Sequence, residues 1–245
     1  MTKAYSSDKR IPQYENSGHR MEAEFIGSVN KKKYDELAFD YIQQKTKQLV
    51  DDDITDDTSA ESKEEKYEKI LKMREAAASR FDSLVKIQKD ENLINYEDSM
   101  NLVEKSQYGS PEKPAKFFSA SLYNYIKNRF EDKYSLKFYT ATGLTHLDIL
   151  HGIDCFFKLC DKETDEEIIG TTIDLTGNRD KTRAKANIII LISQEERDQM
   201  DPSKVNKDFN KETFQAKIDE YGEKIVQSIL TNYQNKLLEQ EKIKN

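Results

Sequence analysis

Ile188-Ile189-Ile190-Leu191-Ile192 is an unbroken run of five large aliphatic side chains, four of them β-branched. It is far too short to span a membrane, and β-branching favours a strand over a helix. Successive strand side chains point to opposite faces, so continuous apolar character predicts a strand buried on both. Three further segments read as strands: residues 137–142, 153–159 and 168–176. The polar turn Asp161-Lys162-Glu163-Thr164-Asp165-Glu166 joins the second and third as a hairpin.

Helical periodicity lies on either side of these strands. Tyr34, Leu37, Ala38, Tyr41, Ile42 and Leu49 form one apolar stripe. Tyr67, Ile70, Leu71, Ala77, Phe81, Leu84 and Val85 form a second across residues 63–89. Phe117, Phe118, Leu122, Tyr125, Ile126 and Phe130 mark a third helix over 115–133. Phe214, Ile218, Tyr221, Ile225, Ile229, Tyr233 and Leu237 mark a last one over 211–238. Gly109, Pro111 and Pro114 punctuate a weakly patterned stretch, making it the expected boundary. The expected fold class is α+β (mixed α/β), a small central mixed sheet flanked by helices. Residues 1–30 are expected to be a flexible tail, 31–110 a helical arm of two amphipathic helices, and 111–245 an α/β domain.

Composition excludes several classes. The chain has 245 residues and a formal charge of −7; residues 1–111 hold 18 basic against 23 acidic residues, and the remainder is close to neutral. Bulk basic charge of the kind that announces a nucleic-acid binder is missing, although a local basic strip remains open. Cys155 and Cys160 carry no CxxC or partner histidine and read as reduced structural thiols. Without a signal-like apolar stretch at the start, the expected location is cytoplasmic, with no membrane association. The run Asp51-Asp52-Asp53 reads as an acidic linker, since it lacks the alternating ligands and turn glycine of a Ca²⁺ loop. Gly-rich phosphate loops, nucleophile elbows and zinc spacings are all missing.

Chemistry concentrates between His151 and Ile192. A hairpin turn centred on Thr164 puts Asp154 directly opposite Asp174. Asp154, Phe156 and Lys158 then share one face, and Cys155, Phe157 and Leu159 the other. Two aspartates opposed across a ladder repel unless something positive, such as Mg²⁺ or a basic side chain, sits between them. Arg179, Lys181, Arg183 and Lys185 follow as an alternating basic strip able to face phosphates. His151, His146 and Glu131 are further candidates for an acid, a base or a third carboxylate. The bland alternative is that Asp174 simply orders the turn Leu175-Thr176-Gly177-Asn178.

A strand bearing an aspartate, a turn, a second strand with Asp-x-Thr, a basic segment and a third apolar strand together resemble the core of the PD-(D/E)XK nuclease-like superfamily. The resemblance covers residues 117–192, with the third helix as the leading helix of that fold. It implies an α/β nuclease-like domain over 111–245, a Mg²⁺ (or Mn²⁺) ion held by Asp154 and Asp174, and a lysine that positions or deprotonates the attacking water. Thr176 stands where that lysine belongs, so the role passes to Lys185 or Lys181, with Lys158 a third candidate. The resemblance thus implies a metal-dependent nuclease, or a degenerate relative that binds DNA without cutting it. The expectation from another class is a non-enzymatic interaction or assembly protein of viral (phage) origin, virion-associated, joining a protein partner or itself through the helical arm.

Overall fold

The hairpin turn sets the geometry of the sheet. Asp161 Oδ1 accepts hydrogen bonds from the backbone N–H groups of Glu163 and Thr164, both at 2.9 Å, and Asp165 takes φ 60°. A computed structural model of the chain describes residues 17–53, 94–181, 184–202 and 208–244. The expected helix at 63–89 and Arg183 lie outside these.

The described elements are α1 (Ser17–Phe25), α2 (Lys31–Asp53), α3 (Tyr96–Lys105), α4 (Phe117–Lys127), β1 (Tyr134–Thr140), α5 (His146–His151), β2 (Cys155–Asp161), β3 (Glu167–Thr176), β4 (Ile188–Leu191), α6 (Gln194–Met200) and α7 (Lys211–Lys244). The four strands form one mixed sheet in the order β1-β2-β3-β4, antiparallel except for the parallel β3–β4 pair. This is the α+β class read from the sequence. Cys155 pairs with Ile173 and Phe157 with Thr171, the expected register. The turn sits half a residue earlier than expected, and a bulge between Leu159 and Cys160 restores the pairing.

Each face of the sheet carries its own core. On one side, Phe118, Leu122 and Ile126 of α4 and Phe214, Ile218, Ile225 and Ile229 of α7 pack on Phe138, Phe157, Ile173, Leu175 and Ile190. On the other, Tyr34, Ala38 and Ile42 of α2 and Leu102 and Val103 of α3 pack on Tyr139, Ile153 and Phe156. Residues 31–53 and 94–105 are therefore a layer of the fold rather than a separate arm. Buried side chains are needed on both faces of β2, and α2 and α3, from before residue 111, cover the second face together with Leu147 of α5. The expected tail also ends before residue 30: α1 and its exit bury Met21, Phe25, Ile26 and Val29.

β4 differs from its expected double burial. It is an edge strand with Ile190 buried and Leu191 36% exposed. The opposite edge, β1, is covered by a side chain. The Gln107 amide accepts from Thr140 N and donates to Thr140 O at 3.1 and 2.9 Å, as a neighbouring strand would. Among the described residues no helix is long and apolar enough to cross a membrane.

Candidate metal centre

The end of the sheet where β2 begins is built by capping and backbone hydrogen bonds. Thr145 caps α5, its hydroxyl accepting from Asp148 N at 3.1 Å. Gly152 ends the helix in the left-handed region at φ 61°, with its N–H on Asp148 O and that of Ile153 on Leu147 O. That reversal delivers Asp154 to the sheet, where its N–H bonds Ile173 O at 2.9 Å and its carbonyl accepts from Ala141 N at 2.7 Å. Its side chain turns back onto β3, with Oδ2 accepting from Leu175 N at 2.6 Å.

Three carboxylates meet here. Glu22 from α1, Asp148 from α5 and Asp154 each offer an oxygen, and these atoms lie within 4.8 Å of one another. All three residues are buried. Asp148 Oδ2 also accepts from Leu144 N at 3.3 Å. Asp174, on β3, is 2% exposed, and its Oδ2 lies 2.5 Å from the Lys181 ammonium. The β2–β3 ladder ends at the Cys155–Ile173 pair, one step before the two aspartates; Asp154 precedes β2, while Asp174 stays within β3, paired with Ile189 of β4.

Charge crowding changes the protonation of the cluster. Burial, then the negative field of Glu22, raises the Asp154 carboxyl to about 8. The Leu175 N–H opposes this, while Asp148 and Asp174 add to it. Burial also raises Glu22 to about 7, helped by Asp148 and Asp174 and opposed by Lys181. Two carboxyls that hold protons near neutrality beside two further acids form a site that a divalent cation suits. Oxygen-only donors are the set that hard divalent cations take, and Glu22, Asp148 and Asp154 could hold one.

The remaining candidates separate. Lys181 is at the acids, but Lys185 is not: its ammonium donates to Leu150 O at 3.0 Å. Lys158 bridges Glu104 and Glu167 at 2.6 and 2.5 Å. Arg179 is exposed on the same loop as Lys181. Thr176 Oγ1 accepts from Asn178 N at 3.2 Å and orders the turn, the bland role expected of Asp174. His151 packs edge-to-face on Tyr96 with ring centres 5.5 Å apart, and burial and the nearby Lys185 lower its pKa. His146 is buried against Tyr34, its Nδ1 2.7 Å from the phenol oxygen, and burial lowers it to about 4. Glu131 pairs with Lys133 at the surface and belongs to no site. Cys155 and Cys160 are free and buried, and burial raises both thiols.

Sequence reasoning missed Glu22 and Asp148. Thr145-His146-Leu147-Asp148 fits the start signal of a capped helix, so Asp148 had a local signature. Glu22 had none, because only tertiary packing of α1 brings it in. Comparison with family models, with curated proteins and with solved structures gave no match to the chain.

Proposed function

We propose that this protein is a divalent-metal-dependent phosphodiesterase acting on DNA, a nuclease of the PD-(D/E)XK-like kind. The observation that carries the proposal is the convergence of Glu22, Asp148 and Asp154 within 4.8 Å beside the Asp174–Lys181 pair. Glu22, Asp148 and Asp154 would hold Mg²⁺ or Mn²⁺. Such an ion, when bound, makes a water more acidic and stabilises charge on a phosphodiester oxygen. The chain's own groups prepare that site. The Leu175 N–H fixes the Asp154 carboxylate, the α5 cap orients Asp148, and burial on α1 holds Glu22 against both. Lys181 takes the lysine role in place of Thr176, and Arg179 and Lys185, on the same loop, would meet phosphates.

The test is cleavage of linear, circular and single-stranded DNA with Mg²⁺ or Mn²⁺, using Asp154→Asn and Asp174→Ala as controls. Cleavage that needs metal and is lost in both variants is expected. Metal binding without cleavage of any substrate would leave a degenerate, DNA-binding relative, and no metal binding at all would end the proposal.

One feature favours the non-enzymatic reading. The end of α7 exposes Leu230, Tyr233, Leu237 and Leu238, an apolar stripe suited to assembly. A protein that self-associates normally with both Asp154 and Asp174 replaced, and cuts nothing, would fit that reading instead.

A further inference from the structure

Asp174 stands apart from the three-acid group, yet it is the most buried of the four carboxylates. Its negative charge reaches both Glu22 and Asp154, so the two places are electrostatic neighbours. Lys181 meets Oδ2 at 2.5 Å, but that buried oxygen receives no hydrogen bond of good geometry. The ammonium is therefore the cation with which that oxygen is paired. An oxygen held in that way is also placed for a metal cation, which needs charge and proximity but no donor angle. Lys181 reaches in from solvent with 36% of its side chain exposed, so the ammonium, unlike the carboxylate it meets, is not part of the buried sheet.

We infer that the Lys181 ammonium occupies a second cation position, at Asp174. The protein then takes one divalent cation, on Glu22, Asp148 and Asp154, and loss of the ammonium opens Asp174 to another. This rests on the metal-dependent reading above and goes beyond it by setting the number of ions and naming the residue that limits it. Four adjacent carboxylates without the lysine carry charge enough for two divalent ions. With it, the second must displace an ammonium already in contact.

The test counts Mn²⁺ ions bound per full-length chain at pH 8, by the electron paramagnetic resonance of free Mn²⁺. One ion is expected for the wild type, two for Lys181→Met, and one again for Lys181→Met combined with Asp174→Asn. Lys181→Arg, which keeps the charge, should bind one. A melting curve on each variant checks folding, and Mn²⁺ should raise the melting temperature of Lys181→Met more than that of the wild type. Two ions of similar affinity in the wild type, or a single ion in Lys181→Met, would overturn the inference. A wild type that binds none would instead overturn the metal-dependent reading on which it stands.

Discussion

Asp154 and Glu22 give the folded chain a dependence on pH whose sign follows from burial. Their carboxyls rise from 3.8 and 4.5 to about 8 and about 7 on folding. Between pH 4 and 8 the native state keeps protons that the unfolded chain has already lost. Stability therefore falls as pH rises across that window, by up to about 1.4 kcal/mol per pH unit for each group. Urea unfolding at pH 5.5 and 8.5 should show the lower midpoint at 8.5, and saturating Mn²⁺ should restore it. Asp154→Asn should flatten the dependence and abolish Mn²⁺ binding; an unchanged slope would mean that Asp154 ionises freely. Tyr34 makes a separate contribution. Its hydroxyl accepts from His146 N at 2.9 Å and contacts Nδ1 at 2.7 Å, both in the interior. Tyr34→Phe leaves these groups without that partner and should cost about 1–3 kcal/mol, measurable by the same method.

Two glycines show how elements are held for different reasons. Gly222 lies where α7 crosses α4, and a Cβ there would stand 2.3 Å from Tyr125 Cδ1. Gly222→Ala should force the helices apart and destabilise by about 1–3 kcal/mol, read as a lowered melting temperature with Mn²⁺ affinity unchanged. Gly152 has open space where a Cβ would stand, but its backbone is left-handed at φ 61°. Gly152→Ala should cost only about 1 kcal/mol in strain. Because that turn joins Asp148 to Asp154, the same change should weaken Mn²⁺ binding. Melting curves and Mn²⁺ titrations on both variants separate packing from positioning.

At the scale of the molecule, the sheet is complete only when chain from both sides of residue 111 covers it. Phe156 and Tyr139 stack with ring centres 5.0 Å apart beneath α2 and α3, while Phe157 faces α4 and α7. A fragment of residues 111–245 would expose that second face and lose Glu22. It should fail to melt cooperatively and bind no Mn²⁺, whereas the full chain should melt cooperatively and bind the ion. A cooperative, metal-binding fragment would show the first layer to be dispensable.

The alternation of Asp154, Phe156 and Lys158 against Cys155, Phe157 and Leu159, with a strong turn between two strands, determined the hairpin and its register. The periodic stripes likewise determined α2, α4 and α7. These features repeat every two residues or every three to four, so neighbours in sequence suffice to reveal them. Short helices such as α3 and α6 left a fainter trace, because two or three turns hold few repeats of the pattern. The placement of the acids was only half legible. Asp154 and Asp174 each adjoin the last pair of one hairpin ladder, and the hairpin brings them to the same end of β2. Glu22 stands more than 120 residues from Asp148 and Asp154, and it joins them only because α1 buries Met21 and Phe25 against the sheet layer. Lys181, rather than Lys185 or Lys158, meets Asp174 because the other two find oxygen partners elsewhere. Periodicity is local, whereas burial and charge pairing depend on which distant surfaces pack together, and the tertiary structure alone decided that.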